Sequence, residues 1–309
     1  MILRYKLHII TVLLLLSLSM NILLFIIWKS SLSHDHIQQN RYPFLVSSSI
    51  YPSYLNNHVV NFLPLRQKID KEVKPYNDRF ALYLEYLPTS TTIEVNGDSE
   101  FTAESLLKVP AVMAYFHKKE RLGTAQDPTV SIKANELNNK FGDLYKKGAG
   151  YQINLANAVK LALQKSDNTA AIVITDQISG SDFNFVLDGL DSSVAMYENS
   201  PVITAQGYAS ILKALYFSSV LNNEDSEKIL ELLAKTDFSD MLPAGIPKGI
   251  PVAHKIGVAY EQLYSDCGIV YVPMHQYILC MVSKSDLLPA RERMKKISAM
   301  IYTYIAHLQ

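Results

Sequence analysis

The sequence predicts an α+β fold. One antiparallel sheet is built from strands at both ends of the chain, flanked by helices, with an all-helical subdomain inserted at about 103–250 and one transmembrane helix ahead of the domain. Three observations carry this expectation. Apolar residues alternate with period two in "RFALYLEYL" and "TTIEV", and again in "VAHKIGV", "DCGIVYV" and "YILCMVS" toward the other end of the chain. Between them the apolar period is helical. Residues 9–28 (IITVLLLLSLSMNILLFIIW) form a twenty-residue run without a charge, long enough to cross a bilayer as a helix.

Arg4 and Lys6 precede that run and only Lys29 follows it closely, a bias that places residues 1–8 in the cytoplasm and the remainder outside. The rival reading is a cleaved signal peptide, whose apolar region would normally be shorter and for which Ser31-Leu32-Ser33 is a weak cleavage site. Residues 29–62 are rich in Ser, Asn, His, Pro and Tyr and lack any period, and read as a linker. Within it the His34-Asp35-His36 triplet has no further ligand nearby and reads as solvated linker, so neither a metal nor another cofactor is expected. The folded domain occupies 63–309. Twenty-nine Lys and Arg balance twenty-nine Asp and Glu, which argues against a nucleic-acid partner.

In the domain, a short helix near 65–73 ends at Pro75, and two strands flank the turn "PTS". In "FTAESLLKVP" the proline suits only the first turn of a helix, so Ser105 to Lys108 form a tight helical turn that sets the two side chains on one face. Asn154 caps a helix carrying Leu155, Ala158, Val159, Ala162 and Leu163. A second helix spans about 169–178 and is stopped by Gly180. Thr204 precedes a helix with Tyr208, Ile211, Leu212 and Leu215, and 226–233 forms another. A last helix over about 289–307 carries Met294, Ile297, Ile301 and Ile305 on one face. Cys267 and Cys280, the only cysteines, lie on successive strands joined by "PMHQ" and could stand nearly opposite, so a bridge and two buried thiols both fit.

The chemistry rests on three short motifs. Ser105-x-x-Lys108 alone is weak, since two common residue types meet at that spacing by chance. Ser166-Asp167-Asn168, between two helices, and Lys255-Ile256-Gly257, on a strand, follow in order. A serine hydroxyl needs a base to become a nucleophile, and a lysine serves only when burial and a second cation, here Lys255, lower its pKa. With these elements the chain resembles the penicillin-recognising serine hydrolases, closest to the class A β-lactamase branch.

The resemblance implies a catalytic set of Ser105, Lys108, Ser166 and Lys255, with Ser166 relaying a proton to the leaving nitrogen. Asn168, Gly257 and Val258 would bind substrate, the Val258 and Ser105 N–H groups forming an oxyanion hole. Asp167 braces the loop, although Thr169 would suffice as a helix cap. The implied activity is acyl-enzyme formation on Ser105 with a β-lactam or a D-alanyl cell-wall peptide amide. Two departures stand out. Ile256 replaces the usual Thr or Ser and offers no donor for a substrate carboxylate. The E-x-x-L-N loop that serves deacylation is absent, and Glu198 in "DSSVAMYENSPVI" is a poor substitute. A D,D-peptidase-like protein or weak β-lactamase therefore fits better than an efficient one, and a non-enzymatic scaffold of the same fold is the alternative.

Overall fold

The five period-two runs all become strands of one sheet. The computed structural model describes residues 14–29, 42–46, 60–124, 126–190, 194–197, 200–259 and 262–308. Helix α1 (Leu63–Val73) leads through a 3-10 turn, Lys74–Arg79, into β1 (Phe80–Tyr86) and β2 (Thr91–Val95). The short β3 (Glu100–Thr102) precedes a 3-10 turn over Glu104–Leu107, which runs directly into α2 (Lys108–Leu122). Strands β4 (Thr129–Ser131) and β5 (Gln152–Asn154) form a two-stranded sheet, followed by α3 (Leu155–Gln164), α4 (Asn168–Thr175) and α5 (Gly180–Asp188). Strands β6 (Ala195–Tyr197) and β7 (Ser200–Thr204) lead to α6 (Ala205–Phe217) and α7 (Asn223–Leu233). The insertion at about 103–250, expected to be all-helical, thus carries four strands of three to five residues, too short to display a period of two. The chain closes with β8 (Val252–Ala259), β9 (Leu263–Val270), β10 (Tyr277–Lys284) and α8 (Leu287–Ile305).

The main sheet is antiparallel in the order β2-β1-β10-β9-β8, so strands from both ends of the chain meet at the β1–β10 pair. Both faces are covered. Ile278, Cys280 and Val282 of β10 enter the core shared with the helical layer, while Tyr277, Leu279 and Met281 enter a second core under α1 and α8. All seven residues of β1 are accordingly buried. On α8, Met294, Ile297, Ile301 and Ile305 are fully buried at helical spacing; truncating one of the isoleucines to alanine would cost about 2–5 kcal/mol. Cys267 and Cys280 are direct partners across β9 and β10 and are joined as a disulfide.

The caps expected at Asn154 and Thr204 form, accepting from Ala156 N and Gly207 N at 2.9 Å each. Gly180 departs from expectation: it opens α5 instead of stopping a helix, because Ser179 and Asp182 cap each other's backbone in a capping box. The preceding helix already ends at Thr175. Asp167, not Thr169, caps α4, accepting from Ala170 N at 2.9 Å; the Thr169 hydroxyl is taken up by the Asn138 backbone.

A helix covers 14–29 with its apolar side chains exposed. Among the described residues no helix is long and apolar enough to cross a membrane, and residues 9–13 of the expected span lie outside the described set, as does the His34-Asp35-His36 triplet. Within the expected linker, 42–46 packs on the domain. Phe44 N donates to both carboxylate oxygens of Glu227 at 3.1 and 2.9 Å, and the Phe44 ring stands edge-on to Tyr271 at 4.9 Å.

Candidate active site

Ser105 sits in the 3-10 turn ahead of α2, with Lys108 the first residue of that helix. Ser166 lies between α3 and α4 in the left-handed region, φ +55°, which for a non-glycine residue costs about 1–2 kcal/mol and turns both its carbonyl and its hydroxyl toward the lysines. Lys108 is only 8% exposed. Its Nζ donates to Ser166 O, to Ser166 Oγ at 3.1 Å and to Asn168 Oδ1 at 2.7 Å. None of these bonds reaches Ser105. Lys255, brought in on β8 and 1% exposed, donates to the same Ser166 Oγ at 2.8 Å and to Ile256 O at 3.2 Å. Two buried lysine side chains from distant parts of the chain thus converge on one hydroxyl.

Burial lowers the Lys108 pKa from 10.5 to about 8, against the opposing charges of Asp167 and Glu104. Burial also pushes Lys255 well below its ordinary value, and the Lys108 charge adds to that shift. The sequence assigned the depression of Lys108 to burial and a second cation together. Burial accounts for it at Lys108, and the repulsion between the lysines falls on Lys255. Asp167 is committed to structure: beyond its cap it accepts from Asp143 N and Leu144 N at 2.8 Å each, holding the loop beside the cleft. Gly142 allows this, at φ +86° and with no room for a side chain, since a Cβ there would lie 2.1 Å from Asp167 Oδ2.

β8 is an edge strand, and its free side faces the turn that carries Ser105. Tyr271 N donates to Pro251 O at 3.0 Å. With the β8–β9 register this makes 253, 255, 257 and 259 the residues hydrogen-bonded to β9, and the N–H groups of His254, Ile256 and Val258 point to the free edge. The Val258 N–H is therefore directed toward the side occupied by Ser105. Gly257 permits the close approach, because a Cβ there would meet Ser265 Oγ at 2.4 Å and Leu106 Cγ at 3.3 Å. Behind Lys255, the His254 ring bonds Asp266 Oδ1 at 2.7 Å and Phe238 O at 3.0 Å, and Lys255 Nζ stands 5.8 Å from the Phe238 ring centroid.

Ser105, Lys108, Ser166, Asn168, Ile256 and Val258 line one cleft of about 470 Å³, with Lys255 just beneath its surface. Sequence reasoning did not anticipate Glu104, Asn138, Lys140, Phe141, Pro201 or Ala259, which complete the wall. Glu104 and Ala259 adjoin Ser105 and Val258 in the chain, and that adjacency is the sequence signal that marks them. Asn138, Lys140 and Phe141 lie in an irregular loop with no periodic signal. Glu198 lies outside the described residues.

A two-sided antiparallel sheet with a helical layer, a serine at the start of a helix and two buried lysines meeting on a second serine together define a β-lactamase-like serine hydrolase. The chain belongs to the beta-lactamase enzyme family, whose model matches residues 64–305. It is 24% identical over 235 residues to beta-lactamase 3 of Bacillus cereus, covering 71% of this chain and 72% of that protein. The solved structure of PBP-A shares the fold with a TM-score of 0.72 and 23% identity, over 80% of this chain and 97% of that one. A variant of PBP-A, solved as an acyl-enzyme complex with penicillin G, is similar at a TM-score of 0.72 and 24% identity, over 79% of this chain and 97% of that one.

Proposed function

We propose that this protein is a serine hydrolase, anchored in the cytoplasmic membrane by residues 9–28 with its domain outside, that forms an acyl-enzyme on Ser105 with a β-lactam or a D-alanyl cell-wall peptide amide. The observation that carries the reading is the convergence of Lys108 and Lys255 on Ser166 Oγ beside Ser105. Lys108, when neutral, takes the Ser105 proton as Oγ attacks the amide carbon. Ser166, touching both lysines, delivers a proton to the departing nitrogen, while Lys255 holds the Ser166 hydroxyl in place at 2.8 Å. The N–H groups of Ser105 and Val258 hold the oxyanion, and the Asn168 amide holds the substrate's own amide. Hydrogen bonds of this kind tighten in the substrate complex, which reconciles the role of Lys108 with its bonds to Ser166 and Asn168 in the free protein.

Penicillin acylation of the similar PBP-A variant supports a β-lactam as one ligand. D,D-peptidase-like activity with slow release is favoured over efficient β-lactam hydrolysis, since the chain has no E-x-x-L-N loop. A second reading, a non-enzymatic scaffold, is favoured by Ile256, whose side chain lines the cleft where a hydroxyl would serve a carboxylate. Labelling with a fluorescent penicillin, followed by intact-mass analysis and with Ser105→Ala as control, separates the two. One adduct lost in Ser105→Ala is expected; no adduct, or one on another serine, overturns the nucleophile assignment.

A further inference from the structure

An acyl-enzyme must be hydrolysed by water, and water needs a base. Among the described residues, the wall of the cleft contains one carboxylate, that of Glu104. The two nearby aspartates are spent on structure, Asp167 on three backbone N–H groups and Asp266 on His254 and Leu242 N. Glu104 immediately precedes Ser105 and holds φ +46°, a left-handed conformation that a non-glycine residue adopts only when its surroundings impose it. Those surroundings are visible: Ala103 N donates to Pro201 O at 2.9 Å, tying the turn to β7, and Pro201 lines the cleft next to Glu104.

We propose that Glu104 is the general base that activates the deacylating water, an inference that rests on the acyl-enzyme reading above. The water oxygen bonds to the acyl carbon as the Glu104 carboxylate takes one of its protons. The tetrahedral oxyanion then collapses, the bond from carbon to Ser105 Oγ breaks, and the proton held by Glu104 passes to Ser105 Oγ. Free serine, the carboxylic acid product and the carboxylate are restored. Partial burial raises the Glu104 pKa from its ordinary value, with Lys140 and Lys108 opposing the shift, and this strengthens it as a base.

The test follows the adduct by intact mass with penicillin G and with an activated D-alanyl thioester, in the wild type, Glu104→Gln, Glu104→Ala and Glu198→Gln, each first shown to be folded by its thermal transition. The expected result is an adduct that forms at least as fast in Glu104→Gln as in the wild type, since loss of that charge removes one of the influences that raise the Lys108 pKa, and that decays about a hundredfold more slowly, the contribution usual for a positioned base. Formate should restore decay in Glu104→Ala and leave the wild type unchanged, which a merely structural glutamate would not produce. Equal decay in wild type and Glu104→Gln, slowed decay in Glu198→Gln alone, or a wild-type adduct that never decays would each overturn the assignment of Glu104 while leaving acylation intact. Absence of any wild-type adduct would instead remove the acyl-enzyme reading, and would be seen before any variant is made.

Discussion

Raising the pH from 7 to 9 should speed acylation of Ser105 about tenfold. Only a neutral amine can take the serine proton, and with the Lys108 pKa at about 8 its neutral fraction climbs from about 0.1 to about 0.9 over that range. The cause of the low value is burial, since the neighbouring carboxylates push the other way. The same shift sets a stability cost with a definite sign. A lysine whose folded pKa is below its unfolded value binds fewer protons when folded, so stability rises with pH between about 8 and 10.5, by roughly 3 kcal/mol in total for Lys108. At pH 7 that cost is fully present. Lys108→Met should therefore lose about 10²- to 10⁴-fold in acylation yet remain at least as stable as wild type at pH 7, the relief of the buried charge offsetting the hydrogen bonds lost at Ser166 and Asn168. Stopped-flow acylation by a fluorescent penicillin across pH 6 to 10.5, with urea unfolding at pH 7 and 9.5, reads both quantities. A rate that keeps rising about tenfold per pH unit from about 8 to about 9.5 would mean that Lys108 titrates like a solvated lysine. A flat profile would remove it as the base.

Ile256→Thr should raise acylation by carboxylate-bearing penicillins about tenfold or more by restoring one charge-assisted hydrogen bond, worth about 1.5–3 kcal/mol; a folded variant with no gain for any such ligand would favour the scaffold reading. Gly142→Ala should destabilise by more than about 1–3 kcal/mol and reduce penicillin labelling, because its Cβ would collide with Asp167 Oδ2 at a φ that disfavours alanine. Unchanged urea unfolding would show that the loop yields freely. The mature protein should fractionate with membranes and retain residues 9–28; a soluble product starting near Ser33 would show cleavage instead.

Much of the architecture was legible in the linear pattern. Five long runs of period two gave the five strands of the main sheet, and the Asn154 and Thr204 caps fell where side-chain oxygens can reach the first free N–H groups of a helix. The short strands escaped notice. β3 has three residues, too few to display a period, and pairs with β7 about a hundred positions away, so only the folded chain joins them. Gly180 is ambiguous in the sequence because the same residue type serves at either end of a helix, and the Ser179–Asp182 capping box decides which.

For the site, the sequence alone determined which residue types are present and that Ser105 and Lys108 share one face, since three positions in a helical turn fix that locally. It also determined that Ile256 supplies no hydroxyl. Tertiary structure decided the rest. Lys255 reaches Ser166 only because β8 is the edge strand of a sheet whose other members come from both chain ends. The direction of the Val258 N–H depends on which residues of β8 bond to β9, and a one-residue slip would reverse it. The depressed pKa of Lys108 depends on how much of its side chain the assembled helical layer covers, and desolvation is a property of surroundings drawn from the whole domain rather than of any spacing along the chain.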